Sequence, residues 1–198
     1  MNIYLLRHGE TDWNKEGRIQ GHTDISLNQN GRIQISQAAD RLADLGVDID
    51  VVISSPLSRA RESAEIAADR LSYHKDDIIV EPLLIERCFG EAEGLTAAER
   101  EEKYPNYHYS DIGYHFPGME SYDDLMERAH CILTNLISTY KERHNILIVS
   151  HGAILAAIIT AVTNGKIAYF SDAIQLDSAS LHLIRYQNGM VELARITI

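Results

Sequence analysis

Four brief apolar runs punctuate this chain, at residues 3–6, 51–53, 78–80 and 146–149. Each is β-branched or leucine-rich and flanked by polar or turn residues, which reads as a buried strand. Between them apolar residues recur at helical spacing. Ile35, Ala38, Ala39, Leu42 and Leu45 form one stripe. Ala60, Ala64, Ala67, Ala68 and Leu71 form a second, and Leu125, Ala129, Ile132, Leu133, Leu136 and Ile137 a third. Strand and helix in alternation predict an α/β fold, a three-layer α/β/α sandwich around a mostly parallel central sheet. Toward the end, residues 181–186 and 190–195 flank Asn188-Gly189, a hairpin signal, so an antiparallel pair is expected at one side of the sheet.

Helix boundaries are also marked. Thr96 with Glu99, and Ser121 with Asp124, resemble capping boxes, and Pro105 is placed to help end the first of these helices. A further helix should follow Gly152 and stop near Asn164-Gly165. The 198 residues suit one domain with a substantial core. Residues 83–120 break the alternation and read as an insertion over the site. Their aromatic and polar stretch (Tyr104, Tyr107, His108, Tyr109, Tyr114, His115, Phe116) is either a packed surface loop or a lid or wall for a leaving group.

Charge narrows the partners. With 18 basic and 29 acidic side chains the net charge is -11, which argues against nucleic acid, whose affinity comes from a basic surface. A small anion can still bind where cations are gathered locally. Cys88 and Cys131 read as free buried thiols of a reducing compartment. The first apolar stretch is too short for a signal peptide, and the longest, residues 153–162, falls well short of the roughly 20 residues needed to span a bilayer. A cytoplasmic protein without a membrane partner is expected, and its oligomeric state is open. There is no HExxH, no Cys/His metal spacing, no GxxxxGK[ST] and no GxGxxG, so no metal and no nucleotide fold is expected.

In open parallel sheets ligands sit beyond the carboxyl ends of the strands. Arg7-His8-Gly9 follows the first strand, Ser54-Ser55-Pro56 the second, leading into a helix whose first turn holds Arg59, and Ser150-His151-Gly152 the fourth. One edge of an acidic protein thus gathers Arg7, Arg59, His8 and His151. Such a cluster suits an anion. Each fixed arginine about 4 Å from a phosphate contributes on the order of 4 kcal/mol of attraction before desolvation, and its fork holds two oxygens at once. Helix N-termini after Pro56 and Gly152 could add backbone donors.

The stretch Leu6-Arg7-His8-Gly9-Glu10-Thr11-Asp12-Trp13-Asn14 resembles the opening of the histidine phosphatase superfamily, in its phosphoglycerate-mutase-like branch. The likeness continues in order through Gly17-Arg18-Ile19-Gln20-Gly21, Asp24, Leu27 and Gly31, then Ser54-Ser55-Pro56-Leu57-Ser58-Arg59-Ala60. It goes on through Leu84-Ile85-Glu86, Phe89-Gly90, Glu93-Gly94, Gly118-Met119-Glu120-Ser121 and Val149-Ser150-His151-Gly152. Ala92 stands where the family often has an aromatic residue, and Met119 where a second glycine is common. The resemblance implies a metal-independent enzyme without a resident cofactor. His8 would be the nucleophile that becomes phosphohistidine, and Arg7, Arg59 and His151 the groups that hold phosphoryl oxygens. Glu86 would be the proton donor to the leaving oxygen, Asn14 a phosphoryl contact, and Gln20-Gly21 a loop beside it, with Gly152 at the helix start. A carboxyl among apolar neighbours such as Leu84 and Phe89 would suit that acid.

Three functions are compatible with these residues. The first is a phosphomonoesterase acting on a small phosphorylated metabolite. The second is a phosphoglycerate mutase using 2,3-bisphosphoglycerate, against which stand the chain's length, short for the family's mutases, and the lack of any Lys or Arg from residue 104 to 120. The third is a non-enzymatic binding module, disfavoured because the implied catalytic set is complete.

Overall fold

The computed structural model describes residues 1–105, 115–169, 174, 176–187 and 190–196. Its elements run β1 (Asn2–Arg7), α1 (Asp12–Glu16), α2 (Gln29–Asp44), β2 (Val51–Ser54), α3 (Ser58–Arg70), β3 (Ile79–Val80), α4 (Ala97–Lys103), α5 (Tyr122–Thr139), β4 (Asn145–Ser150), α6 (Gly152–Val162), β5 (Leu181–Gln187) and β6 (Met190–Ile196). The sheet order is β3-β2-β4-β1-β5-β6. The pairs β2–β3, β2–β4 and β1–β4 are parallel, and β5 joins β1 and β6 antiparallel. This is the mixed sheet that the alternation and the terminal pair predict. Asn188-Gly189 itself lies outside the described residues, although Gln187 and Met190 on either side are paired.

The alternation of strand side chains sorts the core into two layers. Ile3, Leu5, Val51, Ile53, Ile146, Ile148 and Ile184 face α5 and α6. Tyr4, Leu6, Val52, Leu147, Val149, Leu181 and Leu183 face α2 and α3. Because both faces are covered, β1 and β4 are buried along nearly their whole length. Each such aliphatic side chain contributes roughly 1.5–3 kcal/mol on burial.

Several expectations are corrected. Residues 78–80 are not a buried strand: β3 has two residues, at the edge of the sheet, with Ile79 and Val80 both exposed. Leu45 ends its stripe in solvent, just past the end of α2. Neither cysteine is buried; Cys131 is exposed and Cys88 half-buried, and both are free. Ser121 accepts from the Asp124 N–H, but only Thr96 with Glu99 completes the reciprocal box. As expected, α6 begins at Gly152 and ends just before Asn164 and Gly165, which turn with positive φ. Of the aromatic stretch, Tyr107, His108, Tyr109 and Tyr114 lie outside the described residues. Tyr104 and the buried Phe116 pack on each other with ring centroids 4.9 Å apart. The short α1 gave no periodic signal. Its Thr11 forms a capping box with Asn14, which bears on the site below.

Candidate active site

Three parallel strands end together and set the floor of one cavity. His8 donates its backbone N–H to Ser150 O (2.9 Å), and Ser55 N–H donates to Val149 O (3.0 Å), so the segments leaving β1, β2 and β4 remain in register. The cavity above them measures about 620 Å³. Its polar floor includes Arg7, His8, Asn14, Gln20, Arg59 and Glu86.

His8 is buried, and its Nδ1 lies 2.7 Å from Gly9 O. A carbonyl can only accept, so Nδ1 carries the proton and Nε2 keeps its lone pair. Burial first, then the charges of Arg7 and Arg59, hold the ring's pKa well below the ordinary histidine value, and the imidazole is neutral. The turn behind it needs Gly9, because a Cβ there would lie 2.4 Å from Gly31 O. His151, at the N-cap of α6, is fully buried behind His8, with ring centroids 5.1 Å apart, rather than on the cavity wall. Its Nε2 bonds Ser55 Oγ at 2.6 Å, and its Nδ1 has no partner among the described residues. Burial, again assisted by Arg59, lowers its pKa well below the ordinary value.

Arg59 sits in the first turn of α3 and is wholly buried. It donates to Thr23 O (2.9 Å) and Gly21 O (2.8 Å), its Nε is unpartnered, and no carboxylate pairs with it among the described residues. Burial lowers its pKa, yet at neutral pH it is a guanidinium. Burying a cation is costly. Glu86, Asp24 and Glu93 offset part of that cost from beyond ion-pair distance, and an anion bound directly to the guanidinium would offset more. Arg7 donates to Leu176 O and, with the Glu86 carboxylate, flanks Gly152. Asn14 uses its Oδ1 to accept from Thr11 N and Oγ, so the cap orients the amide and leaves its N–H donors for the cavity. Gln20 Oε1 is buried without a partner among the described residues. Gly21, at φ 55°, must be glycine, since a Cβ there would lie 2.0 Å from Glu93 Oε1.

Glu86 departs from expectation. Its carboxylate faces not an apolar wall but the first turn of α6. Oε1 accepts from the N–H groups of Arg87 (2.8 Å), Ala153 (3.1 Å) and Ile154 (3.2 Å). Other contributors went unassigned in the sequence. Glu93 accepts from His22 N, Thr23 N, Thr23 Oγ and Phe89 N, tying two loops together. Its pKa is lowered overall: burial raises it, but those hydrogen bonds outweigh burial. Asp24 accepts from Ser58 N (2.9 Å) and Oγ (2.6 Å) and so caps α3, whose own N-cap Leu57 has no side chain to do it. Arg18 reaches the rim but is held by Glu16, Glu99 and Gly94 O. Tyr169, Ile174 and Leu176 join Phe89 in an apolar wall. Of these, Glu93 and Phe89 were visible only as members of a motif, and residues 169–176 carried no signal.

A neutral, oriented imidazole beside preplaced guanidiniums and a carboxyl, at the carboxyl ends of a mostly parallel sheet, defines a phosphoryl-binding enzyme of α/β class. The chain belongs to the histidine phosphatase superfamily (branch 1), whose model matches residues 3–198. It is 36% identical over 163 residues to the uncharacterized phosphatase PhoE of Bacillus subtilis, covering 82% of this chain and 78% of that protein. It is 33% identical over 193 residues to the probable phosphoglycerate mutase GpmB of Escherichia fergusonii, covering 96% and 86%. The crystal structure of the alpha-ribazole phosphatase from Shigella flexneri superposes with a TM-score of 0.84 at 26% identity, covering 99% of this chain and 96% of that one. Among the described residues no helix is long and apolar enough to cross a membrane.

Proposed function

We propose that the chain is a phosphomonoesterase that hydrolyses a small phosphate ester through phosphohistidine at His8, without a metal. The observation that carries this reading is the neutral His8, its Nε2 lone pair fixed by the Gly9 contact, beside the buried Arg59, which makes no salt bridge among the described residues. In the first step the Nε2 lone pair attacks phosphorus as the ester P–O bond breaks, and Glu86 gives its proton to the leaving oxygen. In the second, water attacks the phosphohistidine as the P–N bond breaks. Glu86 takes the water's proton, His8 returns neutral, and phosphate leaves. Arg7, Arg59 and Asn14, which line the cavity, meet the charge on the equatorial oxygens, with His151 packed behind His8.

Hydrolysis rather than mutation is favoured by the far wall. A mutase must hold the carboxylate of a phosphoglycerate, whereas the wall beyond the phosphate set is Phe89, Tyr169, Ile174 and Leu176, and Arg18 is already paired with two glutamates. The similarity to proteins named as phosphatases supports the same reading. The free cysteines suit a reducing compartment, and we place the enzyme in the cytoplasm. The test is a panel of phosphate esters that includes 3-phosphoglycerate, in chelator, with and without 2,3-bisphosphoglycerate. We expect phosphate release that chelator leaves unchanged, and its loss by at least about 10³-fold in His8→Ala, which removes the nucleophile. Rapid bisphosphoglycerate-dependent isomerisation would instead make the chain a mutase, and activity retained in His8→Ala would remove the nucleophile's role.

A further inference from the structure

Glu86 lies on a stretch of chain that belongs to no strand. The backbone carbonyls of residues 83–86 therefore have no ladder partners, and side chains collect all four of them. Leu84 O accepts from Ser150 Oγ (2.6 Å) and Glu86 O from His22 Nε2–H (2.8 Å). Leu83 O and Ile85 O both accept from one atom, Nη1 of Arg128, at 2.7 and 2.6 Å. The remaining edge of that guanidinium grips Glu120, with Nε to Oε1 at 2.9 Å and Nη2 to Oε2 at 2.7 Å. Arg128 and Glu120 are 13% and 16% exposed, so the pair is largely shielded from solvent. Glu120 also takes the Arg87 side chain on its backbone carbonyl (3.0 Å), and the Arg87 N–H donates to Glu86 Oε1 (2.8 Å).

We propose that Arg128, oriented by Glu120, is a positioning residue for the proton donor. It fixes the 83–86 backbone against α5 so that the Glu86 carboxyl meets the leaving oxygen. The proposal rests on Glu86 being the acid. A largely buried ion pair contributes little net stability compared with apolar residues of the same shape. Its geometry is the specific feature here, one planar fork bridging two carbonyls and a carboxylate. Lysine, a point charge on a flexible stem, cannot reproduce that arrangement.

The test uses Arg128→Lys, the double variant Arg128→Met/Glu120→Met and Glu86→Gln, with thermal melts to establish folding. For each, kcat/KM, which reports the first step alone, is measured on p-nitrophenyl phosphate, whose phenolate leaves without a proton, and on the alkyl phosphate of the panel above that is turned over fastest, whose alkoxide needs one. Misplacing the acid should lower kcat/KM on the alkyl ester by on the order of 10²-fold in both clamp variants, and on the aryl ester by less than about threefold. Equal losses on the two esters, or none, in a folded clamp variant overturn the positioning role. The double variant leaves no orphaned charge and decides the matter if Arg128→Lys does not fold. Glu86→Gln separates the two levels. If it discriminates between the esters while the clamp variants do not, only the positioning role falls. If it does not discriminate, Glu86 is not the acid, and the proposal falls with that assignment.

Discussion

A histidine can attack phosphorus only with a free lone pair, and two features of its surroundings secure one for His8. The Gly9 carbonyl selects the tautomer, while burial and then the charges of Arg7 and Arg59 disfavour the imidazolium. A lowered folded-state pKa keeps the ring neutral below the ordinary histidine range. A ring ¹⁵N titration should therefore show the Nδ1–H form persisting as pH falls through 6.5. In Arg7→Met the transition should move part of the way back up. Titration of wild-type His8 at the ordinary value would mean that neither burial nor charge acts as described. At this scale the sequence was readable wherever a residue directly follows an apolar run, as Arg7, His8 and His151 do. The surroundings of Glu86 were not readable, because its helix donors at Ala153 and Ile154 lie 67 and 68 residues along the chain. Only the fold brings that helix terminus to the carboxylate.

Helices and strands here were legible where a stripe repeats and obscure where an element is short. α2, α3 and α5 each display three or more buried turns. Residues 78–80 read as a buried strand because β-branched residues look alike at the centre and at the edge of a sheet, and edge position is set by topology. The five residues of α1 are too few for periodicity, yet its capping box orients Asn14. α3 depends on a neighbour in a similar way. Its N-terminus presents Arg59 to the cavity but borrows its cap from Asp24 in the loop between α1 and α2, the same loop whose carbonyls at Gly21 and Thr23 receive Arg59. Asp24→Ala removes that cap. It should cost about 1 kcal/mol and lower Tm by about 3 °C. Inorganic phosphate should also inhibit this variant more weakly than the wild type, because loop and arginine are no longer fastened together. A variant with the lower Tm but wild-type phosphate inhibition would confine Asp24 to helix capping.

The whole molecule is acidic, at a net charge of -11, yet among the described residues three histidines are kept neutral by burial: His8, His151 and His182. His182, on β5, lies away from the other two, which pack on each other. Burial first, then Arg195 opposite it on β6, lowers its pKa to about 4, while Asp177 pulls the other way. Neither ring nitrogen has a partner among the described residues. Above pH 6.5 the ring is neutral both folded and unfolded and exacts no pH-dependent cost. As pH falls below 6.5 the unfolded chain takes up a proton that the folded one refuses, so stability declines until pH reaches about 4, where the folded ring also protonates. His8 and His151 act in the same direction. Carboxylates with lowered pKa, such as Asp50 and Glu93, withdraw their stabilisation only further down, as pH falls through their folded values. Acid sensitivity should therefore begin in the histidine window rather than the carboxylate one. His182→Leu removes both orphaned nitrogens at similar volume, an exchange that is neutral to favourable for an unpaired buried polar group. Its Tm should match or slightly exceed the wild type at pH 7.5 and exceed it by several degrees at pH 5, as followed by circular dichroism. A Tm difference that stays constant between those two pH values would show that His182 does not titrate on unfolding in this range, and the early acid loss would then belong to the two histidines of the site.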